Sequence, residues 1–213
     1  MSCPQCQGVD RLFNENTARA DLRSYIRKGP SKSTRMLVDT IRDQGVDGLS
    51  LMDIGGGVGA IQHELKRAGV ERVTAVDASS AYLEIAQKEA ARQGYADAAS
   101  YHFGDFVDLA PQLEPADIVT LDKVICCYHQ MEQLVQSSVA LTRKFYGVIF
   151  PVDAWWAKFA SKVFNLFLSL TSNPYRAFIH PTREIEAIVR QHGFRPVFYR
   201  RYIYWQVFLF ARA

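Results

Sequence analysis

Short apolar runs alternate along this chain with longer stretches in which apolar residues recur at helical spacing. Leu49 to Ile54, Arg72 to Val76, Ser100 to Phe103, Ala116 to Leu121 and Tyr146 to Phe150 are each followed by Gly, Asp or Pro, and they read as strands. Between them, helical spacing predicts a helix from the glycine-rich turn through Arg67, another over Ser80 to Arg92 and a third over Met131 to Arg143. Two earlier helices, Glu15 to Lys28 and Ser31 to Gln44, are separated by Gly29-Pro30. Strands alternating with helices in this way predict right-handed βαβ units, hence a parallel sheet covered on both faces. The end of the chain breaks the pattern. After helices near Ala154 to Leu170 and Thr182 to Gln191, the runs Phe194 to Arg201 and Tyr204 to Arg212 predict an antiparallel hairpin. The expected fold class is α/β: seven strands, mostly parallel, a C-terminal antiparallel hairpin and N-terminal helices. Residues 1–45 form a helical extension and 46–213 the main domain, in one compact body.

Composition narrows the function classes. With 213 residues, 48% hydrophobic and 22% charged, the chain is a globular domain and not a disordered one. A net charge of +3 is too mild for a nucleic-acid partner, and none is expected. The densest basic cluster, Arg23, Arg27, Lys28, Lys32 and Arg35, reads as a solvated helix face. Residues Met1 to Asp10 are polar and carry Pro4 and Gly8, so no signal peptide is visible and cytoplasmic residence is expected. The longest apolar segment, Trp155 to Leu170, contains Lys158, Ser161, Lys162, Asn165 and Ser169, which excludes an integral membrane segment. Its Trp156, Phe159, Val163, Phe164, Phe167 and Leu170 lie at helical spacing. Core packing is the first reading of them, a lid over a flat hydrophobic ligand the second, and a peripheral membrane contact the third. The cysteines form two pairs, Cys3/Cys6 and Cys126/Cys127; without a second CxxC there is no complete zinc site, and no metal is expected. In extended chain, adjacent Cys126 and Cys127 point to opposite sides and do not bridge.

The chemistry concentrates after the strands. Asp53-Ile54-Gly55-Gly56-Gly57-Val58-Gly59 leaves the first strand and opens a helix, and its glycines allow close backbone approach to a ligand. Asp77, twenty-two residues beyond Gly55, ends the second strand, where a carboxylate can accept from both ribose hydroxyls of an adenosine. Gly104-Asp105-Phe106 follows the third strand; Asp105 can accept from an adenine amino group and Phe106 can flank the ring. Ala78 and Leu121 complete the expected set. The glycine turn alone also satisfies the nicotinamide-dinucleotide fingerprint as Gly55-x-Gly57-x-x-Ala60.

Three features taken together tip that balance: Asp53 two residues before the first glycine, the Gly104-Asp105-Phe106 segment and the closing hairpin. From Leu49 to the end the chain resembles class I S-adenosylmethionine (SAM)-dependent methyltransferases, which implies a Rossmann-like fold and SAM as cofactor. Under this resemblance Asp53 reaches the amino end of the methionine moiety. Shorter stretches, Ile26-Arg27-Lys28-Gly29, Asp122-Lys123-Val124-Ile125 with Tyr128, and Arg176-Ala177-Phe178-Ile179-His180, resemble the magnesium-protoporphyrin O-methyltransferase branch. Two departures matter. Cys127 stands where that branch has a histidine before the tyrosine, and Phe13 replaces a tyrosine of its N-terminal region. Both positions are associated there with chemistry on the porphyrin propionate, so the chain reads as a relative with another acceptor.

Methyl transfer from a sulfonium is an in-line displacement in which the protein mainly aligns the reactants. Acceptor-facing groups belong in the loop after the fourth strand, at the carboxyl ends of the strands. Asp122, Tyr128 and His129 are the candidates there, with His180 reaching from the lid region. Each has a plainer reading: Asp122 as a partner in the Lys123 neighbourhood, the histidines as surface or capping groups, Tyr128 as pocket lining. Asn173-Pro174-Tyr175 resembles the tetrad of nucleic-acid amino methyltransferases but follows the fifth strand, so it reads as coincidental. The expectation is O- or N-methylation of a small, hydrophobic or aromatic acceptor, the alternative a SAM-binding sensor or partner subunit without catalysis.

Overall fold

The computed structural model describes residues 4–170 and 174–213, with side chains from residue 7 onward. Cys3, the Cys6 side chain and Asn173 lie outside the described residues, and with them the Cys3/Cys6 half-site and the start of the Asn173-Pro174-Tyr175 match.

Seven strands form one sheet: β1 Ser50–Ile54, β2 Arg72–Asp77, β3 Ala99–Phe103, β4 Ala116–Asp122, β5 Thr142–Pro151, β6 Phe194–Arg201 and β7 Trp205–Arg212. Their spatial order is β3-β2-β1-β4-β5-β7-β6, and β7 runs antiparallel between β5 and β6. The central strands are apolar on both faces because helices cover both. Leu51, paired with Val73 on one side and Ile118 on the other, faces one core, while Met52, Val119 and Leu121 face the second. The strand order reverses between β1 and β4, which opens a crevice at their carboxyl ends.

Three helices precede the sheet. α1 (Pro4–Leu12) was not expected from its polar sequence. α2 (Glu15–Lys28) starts at Asn14, whose side chain accepts from the N–H groups of Asn16 and Thr17, and stops at Gly29 with φ +73°. α3 (Lys32–Arg42) buries Leu37, Val38 and Ile41 against β5 and β7. Gly147 makes that approach possible, since a Cβ there would stand 3.0 Å from Leu37 Cδ1 and 3.3 Å from Ile41 Cδ1. Around the sheet lie α4 (Ala60–Arg67), α5 (Ser80–Arg92), α6 (Phe106–Leu109), α7 (Met131–Ala140), α8 (Trp155–Ser169) and α9 (Thr182–Gln191).

Three expectations need correction. The helix expected to reach Arg143 ends at Ala140, and β5 begins at Thr142 instead of Tyr146. Thr142 Oγ1 closes the last helical turn onto the Ser138 carbonyl at 2.9 Å, and the Arg212 side chain holds the carbonyls of Thr142 and Arg143; these distant partners have no local signature. Cys126 and Cys127 sit in a tight helical turn, not in extended chain, so their sulfurs come within 3.9 Å of each other, beyond the length of a disulfide bond. The aromatics of α8 do not pack into the core. The helix turns Ala157, Ser161 and Leu168 inward and leaves most of its large side chains outside. Among the described residues, no helix is long and apolar enough to cross a membrane.

Because Leu37 is fully buried between α3 and the sheet, Leu37→Ala should lower unfolding stability by about 2–5 kcal/mol. Urea unfolding followed by circular dichroism measures this, and a loss below about 0.5 kcal/mol would mean that α3 is not part of the core.

Candidate functional site

The turn after β1 is built from backbone. Gly55 (φ +62°) donates its N–H to the Val76 carbonyl at 2.7 Å, and a Cβ there would lie 2.4 Å from Val124 Cγ2. A Cβ on Gly56 would lie 2.2 Å from Asp53 Oδ2. A larger residue at either place would force Val124 or the buried Asp53 carboxylate to shift. Gly57 (φ +57°) donates to Asp77 Oδ2 at 3.1 Å, and Ser79 N–H donates to Asp77 Oδ1 at 2.8 Å. Burial raises the Asp77 carboxyl to about 6, against the pull of the backbone N–H groups of Ser79, Gly57 and Ala78. Gly59 (φ +81°) caps α4. Beneath the turn, His63 donates from Nε2 to the Val58 carbonyl at 2.9 Å and accepts from the Tyr95 hydroxyl at Nδ1. Burial holds its imidazole below the ordinary value, in keeping with that neutral tautomer.

A cavity of about 410 Å³ opens on this turn. It brings together Gly55, Gly56, Gly57, Asp77, Ala78, Asp105 and Phe106 from the expected donor set, and Asp122 and Tyr128 from the expected acceptor set. Asp105 caps α6 through Val107 N–H at 3.0 Å and accepts from the Tyr128 hydroxyl at 2.9 Å, so one residue of each set touches the other.

The remaining candidates lie elsewhere. Asp53 is fully buried behind the turn, where Oδ1 accepts from Thr120 Oγ1 at 2.7 Å and Oδ2 from Gln62 Nε2 at 3.0 Å. Burial raises its carboxyl to about 7, with those two hydrogen bonds opposing. Leu121 is packed in the sheet core, and Gly59 stands behind the cavity wall. His129 and His180 line a separate depression beside α7 with Glu184. His129 stacks on Tyr128 at 5.7 Å. His180 donates from Nε2 to the Tyr128 carbonyl at 2.9 Å, and burial lowers its pKa.

Several cavity residues carry no sequence signal of their own. The N-terminal region supplies Asp21, Ser24, Tyr25, Ser31 and Thr34, beside the Phe13 already singled out. Tyr82 donates its hydroxyl to Asp21, which ties α2 to α5. At the other end, Thr34 Oγ1 donates to Asp122 Oδ2 at 2.5 Å, and Lys123 Nζ reaches Asp122 Oδ1 at 2.7 Å and Thr34 Oγ1 at 3.2 Å. Lys123 has φ +65°, and it is the non-glycine residue among those described that enters the left-handed region. Such a conformation costs about 1–3 kcal/mol and gathers at functional sites. Cys127 lines the cavity and lies 3.1 Å from the Tyr175 hydroxyl. Its contact with Cys126 holds the Cys127 thiol below its ordinary value and pushes Cys126 up. Phe13 meets Tyr175 edge-on at 6.1 Å, so the two departures from the porphyrin branch, Phe13 and Cys127, both contact Tyr175.

Comparison with known proteins bears on the fold. Residues 51–144 match the family described as a methyltransferase domain. No curated protein matches the chain. Among solved structures, magnesium protoporphyrin IX methyltransferase (ChlM) from Synechocystis PCC 6803 with bound S-adenosylhomocysteine (SAH) is 21% identical, with a TM-score of 0.73, over 98% of this chain and 100% of that one. The same enzyme with bound SAM gives 19% identity and a TM-score of 0.70 over 98% and 97%. Geranyl diphosphate C-methyltransferase from Streptomyces coelicolor A3(2), in complex with Mg2+, geranyl diphosphate and SAH, is 13% identical with a TM-score of 0.73 over 100% of both chains. The fold is that of the class I SAM-dependent methyltransferases.

Asp53 gives a pH test. Its folded pKa of about 7 lies above the ordinary 3.8, so the folded state holds a proton that the unfolded state has lost between those values. The stability that this proton brings is complete below about pH 4 and is lost as the pH rises through about 7. Compared with an Asp53→Asn variant across pH 4–8 in urea unfolding, the wild type should lose stability progressively; parallel profiles would show that Asp53 ionises normally.

Proposed function

We propose that this protein transfers the methyl group of SAM to a small, hydrophobic or aromatic acceptor, at oxygen or nitrogen. The observation that carries the reading is the Asp77 carboxylate held against the Gly55–Gly57 turn at the head of a cavity that continues to Asp122 and Tyr128. The residues fit an adenosyl ligand. The Asp77 carboxylate takes the backbone N–H groups of Gly57, Ser79 and Ala78, and its two oxygens offer further lone pairs to two ribose hydroxyls. A Cβ on Gly55 would run into Val124 of the cavity wall, and the turn presents backbone there. Asp105 lines the cavity beside Phe106, where an adenine ring would be flanked.

When bound, SAM supplies a methyl group already activated on a sulfonium. The chain's residues then orient and shield. Asp122, fixed by Thr34 and Lys123, sets the polarity of the acceptor end, and Tyr128, fixed by Asp105, forms a wall of it. Cys127 in place of histidine favours an acceptor other than a porphyrin carboxylate. The solved neighbours include carbon-directed and porphyrin-directed enzymes on one fold, so the acceptor follows from the wall residues and not from the fold.

Asp77→Ala should weaken SAH binding by roughly tenfold to a hundredfold in titration calorimetry, through the loss of hydrogen bonds to a charged acceptor. Undiminished affinity would overturn the ribose assignment. Incubation of the wild type with radiolabelled SAM and a panel of phenols, aromatic amines and prenyl-type compounds should label one class. SAH binding with no product in that panel or in cell extract would instead favour a SAM-binding sensor.

A further inference from the structure

We propose that the outward face of α8, together with the tip of the β6–β7 hairpin, docks this protein onto the surface of an anionic lipid bilayer. An amphipathic helix on a globular protein normally turns its apolar stripe toward the core. In α8 the arrangement is reversed. Ser161 Oγ and Asn165 Nδ2 donate to the Ala177 carbonyl at 2.7 and 2.8 Å, and Asn165 Oδ1 accepts from Ala177 N–H at 2.8 Å. These three bonds fix the polar side of the helix inward and prevent it from rolling. Trp155, Phe159, Leu166, Phe167 and Leu170 are left 64 to 81% exposed. At about 100° per residue these five positions fall within roughly one third of the helical circumference, so they form one continuous stripe. Exposed apolar surface on this scale marks a contact with something apolar.

The surrounding charge says what that contact is. The only charged residues on α8 are Lys158 and Lys162, both at one border of the stripe; Lys158 pairs with Asp153 at 2.6 Å. Trp156 packs on Tyr204 with ring centroids 6.0 Å apart, which places the hairpin tip beside the first turn of α8. At that tip Ile203 is 86% exposed, next to exposed Arg200 and Arg201. An apolar stripe with aromatic ends, bordered by cations and continued by a protruding isoleucine, suits the boundary between acyl chains and anionic headgroups. A second copy of this chain fits less well. A two-fold contact would set α8 against itself, with lysine facing lysine and no acidic residue on the helix to pair with either. At fifteen residues α8 is too short to cross a bilayer, so it lies in the plane of the interface. The inference does not depend on methyl transfer.

The test uses the full chain and vesicles of phosphatidylcholine with or without phosphatidylglycerol. Wild-type protein should sediment with the mixed vesicles and much less with pure phosphatidylcholine, and its tryptophan emission should shift to the blue. Phe159→Glu with Phe167→Glu should weaken binding on the order of a hundredfold, with melting temperature and SAH affinity unchanged. Ile203→Asp, on a separate element, should weaken it about tenfold and covers the case in which the double variant fails to fold. Wild-type protein that stays in the supernatant, or that binds both vesicle types alike, would overturn the proposal. So would a dimer in sedimentation velocity that the double variant abolishes, since that would assign the face to a second copy.

Discussion

Asp77 and Gly57 meet at 3.1 Å between a carboxylate oxygen and a backbone N–H, and this contact ties the end of β2 to the turn after β1. The carboxylate is desolvated enough to raise its pKa to about 6, so its position is tolerable only because the N–H groups of Gly57, Ser79 and Ala78 converge on it. That convergence requires Gly57 at φ +57° and a turn without side chains on its cavity side. Parallel pairing of β1 with β2 in turn fixes where Asp77 ends relative to Gly55, whose own N–H is taken by Val76. The Asp77 end of the cavity is therefore a consequence of sheet register and glycine conformation together.

Much of this was legible in the sequence. The glycine turn, Asp77 and Asp105 each lie at the carboxyl end of a strand, and their placement depends on the local strand–turn–helix geometry. The antiparallel closing hairpin was equally legible, since Phe194 to Arg212 offers no helical periodicity between its two β runs. The acceptor end was not. Thr34 and Asp122 are 88 residues apart, and nothing in either segment announces their hydrogen bond. His63, which holds the Val58 carbonyl from below, looks in sequence like any residue of an amphipathic helix. Asp53 was expected to face the ligand because of its spacing from Gly55; the pleat instead turns it into the sheet, onto Thr120 and Gln62. His129 and His180 are titratable residues close to the right loop in sequence, yet they point away from the cavity because the chain turns over Tyr128.

The orientation of α8 shows the same boundary between local and long-range information. A helical wheel separates its apolar from its polar side but does not say which side meets the protein. The deciding partner, the Ala177 backbone, lies on a strap whose path is set by Phe178 N–H bonding to the Cys126 carbonyl at 2.8 Å. A peptide group shielded from water needs a partner, and Ser161 and Asn165 meet that need at the half-buried Ala177 as an aromatic ring cannot. Polar satisfaction thus outweighs hydrophobic burial for this helix.

α3 joins stability to chemistry more directly. Its buried side, Leu37 and Ile41, fits over Gly147 in the sheet, while its first turn carries Thr34 to the Asp122 carboxylate. One rigid element therefore sets both the packing behind the sheet and the position of an acid at the mouth of the cavity. Lys123, adjacent to that acid, is held in a left-handed conformation by its N–H bond to the Ile149 carbonyl at 2.8 Å and by its ammonium contacts to Asp122 and Thr34. A strained backbone survives where its surroundings over-determine it, and here they do so from α3, β4 and β5 at once. Loosening α3 would free Asp122 and let Lys123 relax, which would alter that end of the cavity. The Asp77 end of the cavity rests on the turn after β1 and the Asp122 end on α3, and the hydrogen bond from the Tyr128 hydroxyl to Asp105 couples the two.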